Sequence, residues 1–350
     1  MNDNALIRVE NMKTYFDTDE GELRAVDGVD FHIEPGEVFA LVGESGCGKS
    51  VTAYTIMKIL PCPPGRIAAG RVLFEGKDLL RYSEKQMQRV RGAQISMIFQ
   101  EPMTSLNPVF TCGAQISEAI RLHRRLGAKA AKAEAIDMLA RVGITEPRQC
   151  HDAYPHQLSG GMRQRVMIAA ALSCRPRMLI ADEPTTALDV TTQAQILSLI
   201  RTLQAQQNMS VLLITHDLGV VAETADRVAV MYASKVVETA ETQMLFKAPL
   251  HPYTQGLFDA VPRLGRHHER LPAIAGTVPR PWQFPSGCKF HTRCPLTREK
   301  ARQGRETQQI ITESGPTKVL TRCASAEPPL QRIHTGHQCA CWEAPGYAAE

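Results

Sequence analysis

The chain has 350 residues, which is enough for one large domain and a smaller appendage. Its 40 Lys and Arg residues barely exceed its 36 Asp and Glu residues. This balance argues against a dedicated nucleic-acid binder, which usually carries a strongly basic face. No apolar run approaches the roughly 18 residues that span a bilayer, and the first residues lack the basic and apolar parts of a secretory signal. We therefore expect a cytoplasmic protein.

Short apolar runs alternate with helical patterns along the first 255 residues. Residues 37–42 predict a buried strand, and residues 50–60 predict a helix that the prolines of 61–65 end. A second helix is expected at 132–142. Four more strands are predicted, at 95–99, 177–182, 211–217 and 227–232. This alternation indicates an α/β fold with a largely parallel sheet.

The loop GESGCGKS at 43–50 fits the pattern Gly-x4-Gly-Lys-Ser and joins a predicted strand to a predicted helix, as a phosphate-binding loop requires. Its glycines let backbone amides converge on phosphate oxygens, and the helix N-terminus adds partial positive charge. Lys49 would bind the outer phosphates, and the Ser50 hydroxyl would bind Mg²⁺. The predicted nucleotide contacts are Gly43, Glu44, Ser45, Gly46, Cys47, Gly48, Lys49, Ser50 and Val51.

Polar side chains end three of the other predicted strands. Asp182 is expected to hold magnesium through water, and Glu183 to polarise an attacking water. His216 is expected to contact the γ-phosphate, and Gln100 to sense magnesium or water, because both lie at the same sheet edge as the phosphate loop. A solvated turn is the alternative for the acidic pair, and a structural role is the alternative for the histidine.

A second glycine turn, formed by Ser159, Gly160 and Gly161, precedes a long apolar helix. Ser159 is a good N-cap, and the uncovered amides at such a helix terminus can bind an anion. An ordinary capped helix is the alternative. From these residues alone, the turn could serve its own nucleotide or that of another chain.

Taken together and in this order, the motifs resemble the ATP-binding subunit of an ABC transporter over roughly residues 6–260. They are the phosphate loop, Gln100, LSGGMRQR (158–165), LIADEP (179–184), TALD (186–189) and THD (215–217). The resemblance implies a P-loop NTPase fold with a mostly parallel core sheet, an antiparallel β subdomain and an α-helical subdomain at about 101–172. We expect a nucleotide-binding domain at 1–255 and a small Cys-rich extension at 256–350, because the amino-acid composition changes near 250–260.

The resemblance also implies that two subunits enclose two ATP molecules between them. Ser159, Gly160 and Gly161 would then contact the ATP of the opposing subunit, and Asp189 would lie at the same interface. An aromatic residue near the N-terminus is expected against adenine. Phe16 has the right spacing, Tyr15 is the alternative, and a plain core role is a further alternative.

Three narrower stretches resemble the branch of peptide and nickel importers: FQEPMTSLNP (99–108), HPYTQGL (251–257) and SGCKFHTRCP (286–295). They imply an ATPase at the cytoplasmic face of the inner membrane that energises uptake of peptides or a related small solute. Its partners would be a homologous second ATPase, two transmembrane permeases contacted by residues 102–108, and an extracytoplasmic solute-binding protein, with no nucleic acid. A soluble ABC-type ATPase of DNA repair or translation is the alternative.

Five of the ten cysteines lie in the last 63 residues. Similar importer ATPases carry a four-cysteine tail that can hold a [4Fe-4S] cluster, and matching its pattern selects Cys288, Cys294, Cys323 and Cys341, with Cys339 as an alternative for the last. The 28 residues between the second and third cysteines depart from the pattern, and we expect a polar insertion there. Zinc, and free or oxidised thiols, are the alternatives, and His291, His334 and His337 leave mixed ligation open. A redox-sensing or metal-sensing tail is compatible with transport.

Overall fold

The computed structural model describes residues 5–100, 105–186, 189–260, 274–313 and 315–347. The strands are β1 (Ile7–Thr18), β2 (Gly21–Ile33), β3 (Val38–Val42), β4 (Gly65–Phe74), β5 (Lys77–Asp78), β6 (Ile95–Ile98), β7 (Met178–Asp182), β8 (Ser210–Thr215), β9 (Arg227–Tyr232), β10 (Lys235–Glu241), β11 (Thr307–Thr312), β12 (Gly315–Leu320), β13 (Gln331–His334) and β14 (His337–Cys339). The helices are α1 (Lys49–Met57), α2 (Glu84–Val90), α3 (Cys112–Arg124), α4 (Ala128–Arg141), α5 (Pro147–Asp152), α6 (Gly160–Leu172), α7 (Val190–Gln207), α8 (Leu218–Thr224), α9 (Thr242–Lys247), α10 (Pro252–Asp259), α11 (Pro295–Ala301) and α12 (Thr321–Ser325). In these described ranges, none of the helices combines the length and the apolarity that crossing a bilayer needs.

The core is an eight-stranded sheet in the order β13-β14-β10-β9-β3-β8-β7-β6. The five strands from β9 to β6 are parallel, and β10, β14 and β13 add to them in antiparallel pairing. Every residue of β3, β7 and β8 is buried, as expected for parallel strands covered on both faces. The predicted parallel sheet is confirmed, and each of its five predicted strands appears within a few residues of its expected place.

A second sheet, antiparallel and in the order β2-β1-β4-β5, packs against the first through a shared apolar cluster that includes Ile7, Val29 and Leu41. Its strands gave no separate signal in the periodicity of the sequence; only the family resemblance implied them. In β1, Phe16 pairs with Gly65 of β4. This sheet is the expected antiparallel β subdomain.

Helices α3 to α6 form the helical part of the molecule and share one apolar cluster with the core sheet, including Ile116, Leu139 and Ile168. The helix predicted at 132–142 is found as α4, which begins four residues earlier. Helix α1 ends at Met57, before the predicted residue 60, because Lys58 takes a left-handed conformation. Residues 101–104, the start of the expected subdomain, lie outside the described residues.

The C-terminal extension is continuous with the nucleotide-binding part. Strand β14 pairs with β10, so the extension lengthens the core sheet instead of folding beside it. Helix α10 runs across the boundary drawn at 255/256. The division into residues 1–255 and 256–350 therefore stays a proposal about sequence units, and the described part of the extension packs directly on the core.

Glu238 on β10 is the centre of that junction. Its side chain is fully buried and accepts hydrogen bonds from the backbone N–H groups of Leu250 (2.7 Å) and His251 (2.9 Å). The Nε2 atom of His337, on β14, lies 2.7 Å from the same carboxylate. One buried carboxylate thus joins β10, the turn before α10 and the extension.

We predict that Glu238→Ala lowers the free energy of unfolding by about 3–5 kcal/mol, because it leaves a buried histidine and two amides without their partner. Urea unfolding followed by circular dichroism measures this. The matched control is Glu241→Ala at the exposed end of the same strand, expected to change stability by less than about 0.5 kcal/mol. Equal effects of the two substitutions would contradict the role given to Glu238.

Candidate functional site

The loop at 43–50 connects β3 to α1 and has a backbone that only glycine can form at two positions. A Cβ atom on Gly43 would lie 2.2 Å from the carbonyl oxygen of Met231. On Gly48, which has φ +106°, it would lie 2.2 Å from the carbonyl oxygen of Ala25. The loop is therefore pressed against β9 and β2, and its open side is left for a ligand.

Lys49 places its charge inside this loop. Its side chain is buried, and Nζ donates to the carbonyl oxygens of Gly43 (2.8 Å) and Glu44 (3.1 Å). Of the other loop residues, Ser45 and Gly46 are exposed, whereas Cys47 is buried. The loop thus has the form of an anion cradle with a lysine at its base.

Ser50 and Asp182 meet where α1 faces the end of β7. The Ser50 hydroxyl donates to Oδ1 of Asp182 (3.0 Å), and Oδ2 of the same carboxylate is buried with no hydrogen-bond partner among the described residues. Burial first, and then the nearby charge of Glu183, raise the pKa of Asp182 to about 6. A buried carboxylate oxygen with no partner has the chemistry of a cation ligand, or of an acceptor for a water molecule that a cation holds.

The Glu183 carboxylate contacts two other predicted site residues, Gln100 and His216, and also Thr186. Its Oε2 accepts hydrogen bonds from Gln100 Nε2 (3.1 Å) and Thr186 Oγ1 (3.0 Å), and its Oε1 lies 3.3 Å from Nδ1 of His216. Glu183 has φ +45°, an uncommon conformation for a non-glycine residue and one often found at functional sites. The His216 side chain is 66% exposed, so the group faces solvent on one side.

The second glycine turn lies on an exposed face. Ser159 caps α6 by accepting a hydrogen bond from the backbone N–H of Met162 (3.3 Å), as predicted for an N-cap. A Cβ on Gly161 would lie 3.3 Å from a methyl group of Thr192, and Thr192 donates twice to Asp189. The turn and Asp189 are therefore neighbours, although 187–188 of TALD lie outside the described residues.

Comparisons with known proteins match this arrangement. A family model described as "ABC transporter" matches residues 26–186, and one described as "Oligopeptide/dipeptide transporter, C-terminal region" matches residues 237–300. The oligopeptide transport ATP-binding protein AppD of Bacillus subtilis (strain 168) is 53% identical over 84% of this chain and 90% of its own length. The dipeptide transport ATP-binding protein DppD of Escherichia coli (strain K12) is 46% identical over 96% of both chains.

The chain belongs to the family of ABC transporter ATP-binding proteins. Solved structures agree: the ATP-binding cassette MJ0796 in a dimeric post-hydrolysis state bound to ADP and Pi has a TM-score of 0.61 at 25% identity, covering 67% of this chain and 98% of that one. The structure of cbiO1 from Clostridium perfringens has a TM-score of 0.59 at 28% identity, covering 70% and 91%. This ABC protein is thus an ATPase coupled to transport.

Tyr15 and Phe16, the two candidates for stacking against adenine in this ABC ATPase, differ in how many contacts constrain their side chains. The Tyr15 hydroxyl donates to Asp27 (2.8 Å), and burial first, then this bond, raise the pKa of Tyr15 to about 12. The Tyr15 ring also lies within 5.5 Å of the guanidinium groups of Arg24 and Arg66. Phe16 is half-buried with its ring beside Gly65, so it is the less constrained of the two.

The four selected cysteines line one cavity in the extension, together with His291. The 28-residue separation is spanned by α11 and the β11–β12 hairpin, which return the chain so that Cys288 N–H donates to the carbonyl oxygen of Cys323 (2.8 Å). Burial raises the pKa of Cys294 to about 11 and that of Cys341 to about 12. Cys339 lies on β14 in an apolar cluster with Leu250, and Cys341 belongs to that cluster as well as to the lining of the cavity.

No set of three or more Cys, His, Asp or Glu side chains in the described ranges is close enough to coordinate a single metal ion directly. The thiols nevertheless influence one another, because Cys294, Cys323 and Cys341 all contribute to the raised pKa of Cys288 after burial. The cavity therefore gathers four soft donors without the spacing of a mononuclear site.

Sequence reasoning missed two residues that hold the phosphate loop. The hydroxyl of Tyr253, on α10, accepts a hydrogen bond from the backbone N–H of Glu44 (3.0 Å), and Arg293 of the extension pairs with the Glu44 side chain (2.9 Å). Both residues lie in stretches whose sequence indicated only the branch of the family, HPYTQGL and SGCKFHTRCP. Their distance along the chain left no local signal for the contact.

We predict that Gly48→Ala weakens MgATP binding by about tenfold or more, because the added Cβ must displace the loop from Ala25. Fluorescent-nucleotide titration of the purified protein measures it. Gly21→Ala is the control, since Gly21 also has a positive φ (+119°) but open space around it. It should cost about 1 kcal/mol of stability and leave nucleotide affinity unchanged; a similar loss of affinity in both variants would contradict the steric explanation.

Proposed function

We propose that this chain is an ATP-hydrolysing subunit that drives import of dipeptides or oligopeptides through an ABC transporter. The observation that carries the proposal is that Gln100 and His216 both contact the Glu183 carboxylate, at the same ends of parallel strands as the phosphate loop. The names of AppD and DppD, which are peptide-transport proteins, support the cargo class.

Each residue of the site has a separate role in ATP hydrolysis in this proposal. The glycine loop and Lys49 bind the phosphates and neutralise charge that develops on them. Glu183 orients a water molecule and accepts its proton, and His216, within 3.3 Å of Glu183, contacts the γ-phosphate. Ser50, Asp182 and Gln100 would hold Mg²⁺. This assignment is supported by the buried Oδ2 of Asp182, which has no hydrogen-bond partner in the part of the chain that the structure describes. A bound Mg²⁺ would neutralise phosphate charge.

A second ATPase subunit completes the site in this proposal. Ser159 and Gly160 lie exposed beside Asp189, at a surface where a partner's ATP can contact the amides that begin α6. The similar cassette MJ0796, whose structure is dimeric with ADP and Pi bound, supports this arrangement. We propose a homologous, non-identical partner, as the importer branch implies.

Membrane docking is proposed for the segment after Gln100. Val109 is 70% exposed and Phe110 is 55% exposed, so exposed apolar side chains directly follow, in the chain, the segment 102–108 that is predicted to contact a permease. A permease covering this surface would be connected to the hydrolytic carboxylate through one short segment. We therefore propose two permease partners, a solute-binding protein beyond them, and a peripheral position at the cytoplasmic face.

The four cysteines of the extension are proposed to hold a [4Fe-4S] cluster. Their gathering around one cavity fits the Cys₄ ligand set of such clusters. Zinc is less favoured because the thiols, all within the described ranges, are not close enough together for one ion. Cys341 is the favoured fourth ligand, since it lines the cavity that Cys288, Cys294 and Cys323 share.

For the transport function, we predict that deleting the gene in its native host abolishes uptake of a labelled dipeptide and that wild type restores it. Glu183→Gln should not restore uptake, because losing the general base slows hydrolysis by about 10²–10⁴-fold. The purified variant should still bind MgATP. Glu223→Gln, at an exposed position on α8, is the matched control and should restore uptake. Full uptake with Glu183→Gln would remove Glu183 from this role.

For the extension, we predict that protein purified without oxygen is coloured and contains about four iron atoms per chain. Cys323→Ser should lose both the colour and most of the iron. Cys62→Ser changes an exposed cysteine far from the cavity in sequence and should retain them. Colourless protein with about one zinc per chain would contradict the cluster and favour the zinc alternative.

A further inference from the structure

Arg293 of the C-terminal extension forms a two-pronged contact with the phosphate loop. Its Nη1 donates to Oε2 of Glu44 (2.9 Å), and its Nη2 lies 3.4 Å from Oε1 of the same residue. The two residues are 249 positions apart in the chain. Paired contacts of this kind between a guanidinium and a carboxylate fix direction as well as distance.

The arginine is itself held firmly. Its side chain is 5% exposed, its Nε donates to the carbonyl oxygen of Ala275 (3.1 Å), and its guanidinium lies 5.8 Å from the centre of the Tyr232 ring. Nη2 makes a further hydrogen bond to the carbonyl oxygen of Ile274 (3.3 Å). Arg293 is thus oriented before any ligand binds.

Glu44 has a partner at each of its polar groups. Its backbone N–H donates to the Tyr253 hydroxyl (3.0 Å), its carbonyl oxygen accepts from Lys49 (3.1 Å), and its carboxylate faces Arg293. The sequence-based prediction of Glu44 as a nucleotide contact remains a prediction, but its amide is directed at Tyr253. The residue that opens the loop after Gly43 is therefore held from three sides.

The charge at this position needs a counterion. A carboxylate in a loop that binds a polyphosphate repels the ligand, and the repulsion is screened poorly where the neighbouring groups are buried. Arg293 offsets that charge and draws the Glu44 side chain towards the extension. Without the arginine, the same carboxylate would add negative charge beside the incoming phosphates.

We infer that Arg293 is a positioning residue for ATP binding, through which the C-terminal extension neutralises Glu44 and holds the phosphate loop in its binding conformation. It acts on the nucleotide through Glu44 and takes no part in proton transfer, so it should govern ATP affinity more than turnover at saturation. The extension would then be a component of the ATP site.

The test compares Arg293→Gln, Arg293→Lys, Glu44→Gln and the double variant Arg293→Gln/Glu44→Gln in the full chain and in the assembled transporter. MgATP affinity is measured by titration, and KM and kcat by ATPase assay. Arg293→Gln should raise the Kd and KM for MgATP about tenfold or more with kcat changed less than about twofold. Arg293→Lys should recover part of the affinity, because it keeps the charge but loses the paired contact.

The double variant distinguishes a positioning role from a general effect on stability. If Arg293 acts by neutralising Glu44, removing both charges should restore most of the MgATP affinity. The effects of the two substitutions on affinity would then be non-additive, whereas the melting temperature would not recover in parallel. Glu327→Gln is the matched control, since Glu327 also joins the extension to the nucleotide-binding part, through Lys235 (2.8 Å), without touching the loop. Unchanged affinity in Arg293→Gln, or a loss that Glu44→Gln does not relieve, would overturn the inference. If Arg293→Gln does not fold, the Arg293→Lys and double variants still give both readouts.

Discussion

The site depends on one property of parallel sheets, which is that the carboxyl ends of neighbouring strands meet at the same edge. Strands β3, β8, β7 and β6 are adjacent in the sheet and all run in the same direction. The residues that follow them are Gly43, His216, Glu183 and, one residue later, Gln100. The pairing of parallel strands thus places segments that are far apart in the chain at one edge of the sheet.

This property explains why the centre of the site could be predicted from the sequence. The phosphate loop and Asp182 follow short apolar runs, and a run of buried β residues is a local signal. The antiparallel sheet could not be found in the same way, since β1 and β2 are long and only partly buried. The contacts of Glu44 with Tyr253 and Arg293 join residues more than 200 positions apart, and no local pattern encodes them.

The cysteine tail illustrates a second limit of sequence reasoning. The 28 residues before Cys323 look like a polar insertion. The hairpin β11–β12 buries only two of its twelve residues, Val319 and Leu320, so the expectation of a surface element agrees with the structure. The sequence does not predict that the chain returns to Cys288. That return depends on how α11 packs against β12, where the Leu320 N–H donates to the Thr297 hydroxyl (2.9 Å). Loop length alone does not decide whether distant cysteines come together.

The extension is attached to the nucleotide-binding part by hydrogen-bonded polar pairs as well as by apolar packing. Glu238 with His337, Glu44 with Arg293 and Asp27 with Lys289 are all largely removed from solvent. Burial lowers the pKa of Lys289 to about 8, which is the desolvation cost that such a pair carries.

Because that cost offsets most of the Coulomb attraction, buried pairs add little net stability compared with apolar contacts, but breaking one is expensive. Each pair forms only where the two parts bring its two partners together. The turn from Cys288 to Cys294 supplies two of these partners, Lys289 and Arg293, and also two of the four cysteines. The proposed cluster and the conformation of the phosphate loop would therefore both constrain the same short turn.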